Sequence, residues 1–470
     1  MADRNKYQAN SQTLQVAAGD WRKKVEQEYT YCMISTLNQM VNYLPLLLFD
    51  FQQTKMYLTL AGKLNESYDK YLDVTCSGLY TQNGGSRFLM PSENEKVKIG
   101  DLNNVGALQS LLSQKANGKK ILWNITGGQR PFMMTIFELL KEDDRKNDLV
   151  MYLEGNAGKV VFLEVGEDNA LQEVPAATHG FESYAVRDSE LQWLNIRIAL
   201  QLMGVEVADY KNSFMVQSEI SSIIEKYRRN DGFRKRLLAL NKKFDLKAGN
   251  LKGFLHQESY NGQDLLYIEP EKGARFYDSR LWKFEESKRK SCLLKPGDEA
   301  YLGDPEYIFF TLSENYQGRT YPFGHLLEDM FAQKLWNLLD GRVADFALNL
   351  KLKAAEDSGE TTDEIDIAVL TKTGQLVVFE VKSGAMSGDV AKSTKYTTYA
   401  VAGVYGKPVL LTALLKSQLT DSGKLSNDWA YGSSASAVAA AKRAQLHVIS
   451  LDGNEDGDFD TVIKKLLHLS

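Results

Sequence analysis

The chain is short of the residues that build zinc sites and disulfide frameworks. It has three cysteines and five histidines in 470 residues. Cys32, Cys76 and Cys292 are odd in number and far apart, and no HExxH or paired-ligand spacing occurs. Reduced thiols packed as small hydrophobes are the expectation. Long apolar runs are also lacking. A membrane helix needs about 18 or more consecutive apolar residues, whereas YLPLLLF at 43–49 is closed by Asp50. The first thirty residues are polar and have no apolar centre of the kind a signal peptide carries, so a cytoplasmic protein with no membrane partner is expected. Charge of one sign is missing as well: 56 Lys and Arg stand against 61 Asp and Glu, a net charge of −5. That removes a global basic footprint and leaves room only for a local nucleic-acid groove.

What is present is an ordinary globular composition, 43% apolar, in a chain long enough for two to four domains at roughly 150 residues each. Between residues 31 and 165, strand-like runs alternate with helical patterns. YCMISTL, KMYLTLA, KKILWNIT and DLVMYLE read as strands, and MVNYLPLLLF, NNVGALQSLLSQ and PFMMTIFELLK read as helices. This βαβ rhythm predicts a doubly wound, mostly parallel sheet, with GNAG at 155–158 turning into an antiparallel strand, KVVFLEV.

Residues 187–245 read as helical, and they carry the basic cluster Lys226, Arg228, Arg229, Arg234, Lys235 and Arg236. That cluster is either a solvated face or a nucleic-acid path. Residues 249–312 read as a β-containing stretch. The expected division is a polar extension 1–30, a doubly wound domain 31–186, a connector 187–320 and an α/β unit 321–470 of a size to fold by itself.

The most informative segment is DEIDIAVLTKTGQLVVFEVKSG at 363–384. A three-residue loop, Lys372-Thr373-Gly374, with Gly374 in the left-handed region, pairs residues whose numbers sum to 746. One face then holds Ile365, Ile367 and Val369 against Val377, Phe379 and Val381. The other sets Asp366 opposite Glu380 with Lys382 alongside. Two carboxylates roughly 4 to 5 Å apart repel by about 3 to 4 kcal/mol at an effective dielectric of about 20. Either one is protonated or a cation lies between them. Oxygen ligands on strands suit Mg²⁺ or Mn²⁺, with Lys382 stabilising charge on a phosphate. A structural ion pair with Lys382 is the other reading of the same spacing.

A second motif, LWNITGGQRPFMM at 122–134, puts Gly127 and Gly128 between a strand and a helix, with Pro131 in the first turn and Arg130 as a phosphate-matching fork. Ser35, Thr36, Asn38 and Gln39, ending the first strand, lie at the same carboxyl edge, where α/β sheets bind ligands. GxGxxG is absent and no acidic residue follows at the dinucleotide spacing. An ordinary tight turn would use the same glycines.

These motifs carry two resemblances. Asp366, a dozen residues and then Glu380-x-Lys382, preceded by Gly324-x-x-x-Glu328 on a helix, resembles the PD-(D/E)XK nucleases. In that family such residues are the metal-binding and catalytic core, and the helix glutamate completes the metal site. The Asn124, Thr126, Gly127, Gly128 run resembles the N-x-T-G-G-T-K signature of CARF domains, Rossmann-like sensors of cyclic oligoadenylates in type III CRISPR systems. It departs from that signature at Gln129 and Arg130. ADFALNLKL at 344–352 and AVAGVYGKPVLL at 400–411 resemble the nuclease half.

Together they imply a CRISPR ancillary nuclease: a CARF domain, a connector and a C-terminal restriction-endonuclease-like domain. The resemblance implies a homodimer gated by cyclic tetra-adenylate that cleaves DNA or RNA with Mg²⁺ or Mn²⁺. Asp366, Glu380 and Glu328 would bind the metal and Lys382 would assist, while Tyr396 and Tyr399 either stack bases or pack. The rival readings are a nucleotide-sensing regulator that cleaves nothing and a nuclease that answers to no messenger.

Overall fold

The computed structural model describes residues 21–60, 63–83, 88–101, 104–154, 159–166, 169–174, 179–180, 188–211, 322–354, 363–382, 388–403, 406–412, 415–416 and 440–469. It also describes short pieces at 221, 224–225 and 228–229 and four strands between 255 and 293.

The first half runs β1 (Tyr29–Ile34), α1 (Met40–Leu48), β2 (Met56–Leu60), α2 (Lys63–Asn83), β3 (Val97–Ile99), α3 (Val105–Ala116), β4 (Lys120–Asn124), α4 (Arg130–Leu139), β5 (Leu149–Glu154), β6 (Lys159–Val165), β7 (Leu171–Glu173) and β8 (His179–Gly180). Strands β3-β2-β1-β4-β5 are parallel, and β6 then runs antiparallel to β5 and pairs with β7 and β8. All six residues of β1 are buried, as a strand covered on both faces requires. The doubly wound α/β expectation matches this sheet. Its strand order reverses between β1 and β4, which makes the carboxyl ends of those two strands the crevice where sheets of this kind bind ligands. Cys32 and Cys76 are buried free thiols, and burial pushes the Cys32 thiol well above its usual range.

The second half adds α5 (Ile196–Gln201), β9 (Val205–Lys211), the hairpins β10 (Leu255–Tyr260) with β11 (Gln263–Ile268) and β12 (Trp282–Glu285) with β13 (Lys290–Leu293), then α6 (Pro322–Leu339), β14 (Asp345–Ala354), β15 (Asp363–Leu370), β16 (Leu376–Lys382), α7 (Gly388–Ala402), β17 (Lys407–Thr412), β18 (His447–Ser450) and α8 (Phe459–Leu466). The second sheet has the order β18-β17-β16-β15-β14-β9.

Several features differ from the sequence reading. Strand β9 comes from the stretch expected to be helical, and it pairs antiparallel with β14. The short strands β3, β7 and β8 and the helices α2 and α8 have no counterpart in that reading. Residues 294–312 of the expected β-containing stretch, the turn 155–158 and, of the basic cluster, Lys226, Arg234, Lys235 and Arg236 lie outside the described residues. Arg228 and Arg229 both pair with Glu225, at 3.3 and 3.0 Å.

The two sheets are not separate bodies. One apolar cluster joins Tyr31, Met33, Met40 and Leu44 of the first half, through Leu200 of α5, to Ala347, Leu350, Ala368, Leu370, Leu376 and Val378 of the second sheet. The layers therefore run α3/α4, first sheet, α1/α2/α5, second sheet, α6/α8. Asp345 fastens the junction: its carboxylate accepts the Ile196 N–H at 2.8 Å at the start of α5. The unit expected to fold alone thus takes a strand and one covering layer from the sequence before it. Among the described residues no helix is long and apolar enough to cross a membrane.

Candidate functional site

The hairpin β15–β16 has the register that its glycine dictates. Ile367 pairs with Phe379, Ala368 with Val378, Val369 with Val377 and Leu370 with Leu376. Thr371 N–H donates to Gln375 O at 3.0 Å, and Gly374 has φ +77°. Ile367, Val369, Val377, Phe379 and Val381 pack with α6 and α8 in one core. The opposite face is more buried than the sequence reading expected, because Ala368, Leu370, Leu376 and Val378 are covered by the layer containing α1. Only its far end stays polar.

There Asp366, Glu380 and Lys382 are all half-buried. The Asp366 carboxylate accepts the Val381 N–H at 2.7 Å just past the end of the ladder, and Lys382 Nζ contacts Glu380 Oε1. Helix α6 buries Leu327, Met330, Phe331, Leu335 and Leu339 in a three-four pattern. This leaves Glu328 on the flank, half-buried and near the acid pair.

The electrostatics of this corner follow from one lysine facing three acids. Burial first, then repulsion from Glu380 and from Glu328, holds the Asp366 carboxyl well above the usual carboxylate range, against the opposing pull of the Val381 N–H and Lys382. Burial alone would lower Lys382, but Glu380, Asp366 and Glu328 together raise it. A cation bound between Asp366 and Glu380 would relieve the repulsion that now favours a proton. In this sense the donor set suits a hard divalent ion that keeps several waters. Among the described residues no three His, Cys, Asp or Glu side chains are gathered as a metal-holding group; the pair is gathered, and Glu328 acts on it through its field. Tyr396 and Tyr399, 73% and 50% exposed on α7, present their rings to solvent.

The glycine turn after β4 meets the end of β1 closely. A Cβ at Gly127 would stand 2.7 Å from Thr36 Cγ2, and one at Gly128, where φ is +90°, would stand 2.5 Å from Ile34 Cγ2. The glycines are needed for this approach whether or not a ligand binds. Thr36, Gly127 and Gly128 are half-buried, while Gln129 and Arg130 are exposed at the start of α4.

The remaining predicted contacts turn inward. Asn124, fully buried, donates to Tyr31 Oη at 2.8 Å and Val41 O at 2.9 Å. Its Oδ1 accepts Thr126 Oγ1–H at 2.7 Å, and Leu153 N–H donates to the same threonine hydroxyl. Gln39 donates to Tyr57 Oη at 3.0 Å. Asn38 donates to Ala402 O, across to α7, at 2.8 Å. Asn38, Gln39, Asn124 and Thr126 therefore shape the crevice from behind.

Ser35 leads to a feature the sequence reading missed. Its hydroxyl donates at 2.6 Å to Asp69 of α2, which also accepts from Tyr57 at 2.5 Å and from Thr59. A polar cavity of about 280 Å³ opens beside Asp69, lined also by Glu66, Lys70, Asp73, Lys96 and Lys98. The signal was available in α2, where Asp69, Leu72, Cys76 and Leu79 recur at three-four spacing.

No family model and no curated protein matches the chain. Solved structures do match in fold. The chain is similar to protein VC1899 from Vibrio cholerae, with a TM-score of 0.54 and 14% identity, over 94% of this chain and 98% of that one. It is similar also to Can2 from Sulfobacillus thermosulfidooxidans, solved in complex with cyclic tetra-adenylate, with a TM-score of 0.50 and 12% identity, over 93% and 95% of the two chains. The overall α/β fold is therefore shared with both over nearly their whole lengths.

Proposed function

We propose that this chain is a cyclic-oligoadenylate-gated, metal-dependent nuclease, with a CARF sensor in its first half and a PD-(D/E)XK-type nuclease unit in its second. The observation that carries the reading is the half-buried corner where Asp366, Glu380 and Lys382 meet at the open end of a rigid hairpin. The shared fold with Can2, a protein solved with cyclic tetra-adenylate, supports that ring as the activator.

Asp366 and Glu380 would hold Mg²⁺ or Mn²⁺, and Glu328 would add negative field or a water-bridged contact. When bound, the ion supplies a polarised phosphate oxygen and an activated water. Lys382, kept charged by its acidic neighbours, leaves Glu380 to balance the charge that builds on the scissile phosphate. Phosphodiesters of DNA or RNA are the substrates, with Tyr396 and Tyr399 available as stacking surfaces. At the crevice, Thr36, the Gly127–Gly128 backbone, Gln129 and Arg130 would take a phosphate of the ring, while Ser35, whose hydroxyl proton is given to Asp69, would only accept, from a ribose hydroxyl or an adenine amine. A ring of repeated units fits a two-fold homodimer.

The ion pair between Lys382 and Glu380 equally suits a sensor that cleaves nothing, and one assay separates the readings. Plasmid and single-stranded DNA and RNA are incubated with the protein, with and without cyclic tetra-adenylate and Mn²⁺. The proposal expects cleavage only when both are present. Cleavage indifferent to the ring would leave a nuclease without a messenger. Ring binding without any cleavage would leave a regulator.

A further inference from the structure

The contacts around Asn38 point to a role that the crevice does not use. Asn38 follows Thr36 by two residues, and Thr36 is the side chain pressed against Gly127. Yet its amide faces the other half of the molecule. Nδ2 donates to Ala402 O at the end of α7, and Oδ1 accepts the Met40 N–H at 3.1 Å, so the two partners fix the amide's orientation.

The receiving side is shaped for it. Gly403 has φ +59°, and a Cβ there would lie 3.1 Å from Asn38 Nδ2. The hairpin turn docks on the same segment: a Cβ at Gly374 would lie 3.1 Å from Leu44 Cδ1 and 3.5 Å from Met40 Sδ. A void of only about 10 Å³ remains between Asn38, Met40, Gly374, Val401 and Ala402, barely one water's worth. The junction is therefore direct. On its far side α7 packs on β16 and β17 and begins six residues after Lys382.

We infer that Asn38 is a positioning residue that couples the crevice to the hairpin: a ligand that moves Thr36 moves Asn38, and Asn38 pulls α7, and with it β16, through Ala402. This rests on the proposed sensor–nuclease reading, and it takes Asn38 out of the set of ligand contacts. A hydrogen bond that differs between two arrangements of a packed junction is the kind of element that both sites can bias.

The test uses the full chain with cyclic tetra-adenylate and follows three readouts: ligand affinity by calorimetry, hydrogen exchange across α7, and ligand-stimulated cleavage. The variants are Asn38→Ala and Asn38→Asp; the second keeps an acceptor for the Met40 N–H, and so the start of α1, but loses the donor. Both are expected to bind the ring within about threefold of wild type, to lose the ligand-induced change in α7 exchange, and to lose stimulation by about tenfold or more, within the usual range of allosteric coupling. Affinity reduced about tenfold, with α7 responding fully at saturating ligand, would make Asn38 a ligand contact and overturn the inference. Variants that respond as wild type does would overturn it too. A wild-type chain showing no response to the ring in any readout overturns the sensor reading, and the inference falls with it.

Discussion

Among single residues, Asp366 and the way it carries its charge matter most. The folded carboxyl, raised by burial and by Glu380 and Glu328, keeps its proton to higher pH than an unfolded aspartate, which titrates at about 3.9. Over that interval the folded state binds more protons, so this group's contribution to stability is fully present below the unfolded value and is lost as pH rises through the folded one. Asp366→Asn removes the titration while keeping an acceptor for the Val381 N–H. It is expected to raise stability at neutral pH by about 1 to 3 kcal/mol, the size of a buried polar desolvation penalty, and to abolish cleavage. Denaturant melts at acidic and neutral pH check the sign, since the gain should shrink as pH falls. Lys382→Ala should fold, bind the ring as wild type does and lose cleavage by about 100-fold or more, the scale of one electrostatic stabiliser. Retained cleavage would remove the lysine from the mechanism.

Among the elements, hairpin β15–β16 was the most legible in the sequence, because a single glycine at a fixed distance from alternating β-branched residues determines loop, register and face together. The parallel sheet was legible for a similar reason: its strands are short, continuous apolar runs. What escaped was polar or brief. Helix α2 buries only a narrow stripe in an otherwise polar stretch, and β9 alternates Val205, Val207 and Asp209 between two helical patterns. Helix α8 announces itself through Asp458, whose side chain accepts the Thr461 N–H at 2.8 Å, followed by Phe459, Val462, Ile463 and Leu466, all buried. Both cap and stripe stood in the sequence unread. Asp458→Ala is expected to cost about 1 kcal/mol, measured by thermal melts. At the turn, Gly374→Ala meets both a left-handed φ and Leu44. It should cost about 1 to 2 kcal/mol from the backbone conformation alone.

For the molecule as a whole, the sequence suggested two working halves but gave no sign of their shared core. Contacts between Leu44 of α1 and Gly374, or between Asn38 and Ala402, join residues more than three hundred positions apart, and no local periodicity encodes them. The site residues divided in the same way. Asp366, Glu380 and Lys382 were visible because they interrupt apolar strands, whereas the inward turn of Asn38, Gln39 and Asn124 depends on neighbours supplied by other elements. One consequence is that residues 321–470 expressed alone lack β9 and the covering layer of α1 and α5, and should not give a cooperative melt. A sharp transition near that of the full chain would show that the second sheet stands by itself.

The most direct measurement is the melting temperature of wild type and Asp366→Asn near neutral pH, with and without Mn²⁺. If the acid pair is a metal site, saturating Mn²⁺ stabilises the wild type, by about 2.7 kcal/mol at a hundred times its Kd, and leaves Asp366→Asn, already the more stable without metal, unmoved. An equal Mn²⁺ response in both proteins, or none in either, would contradict the account.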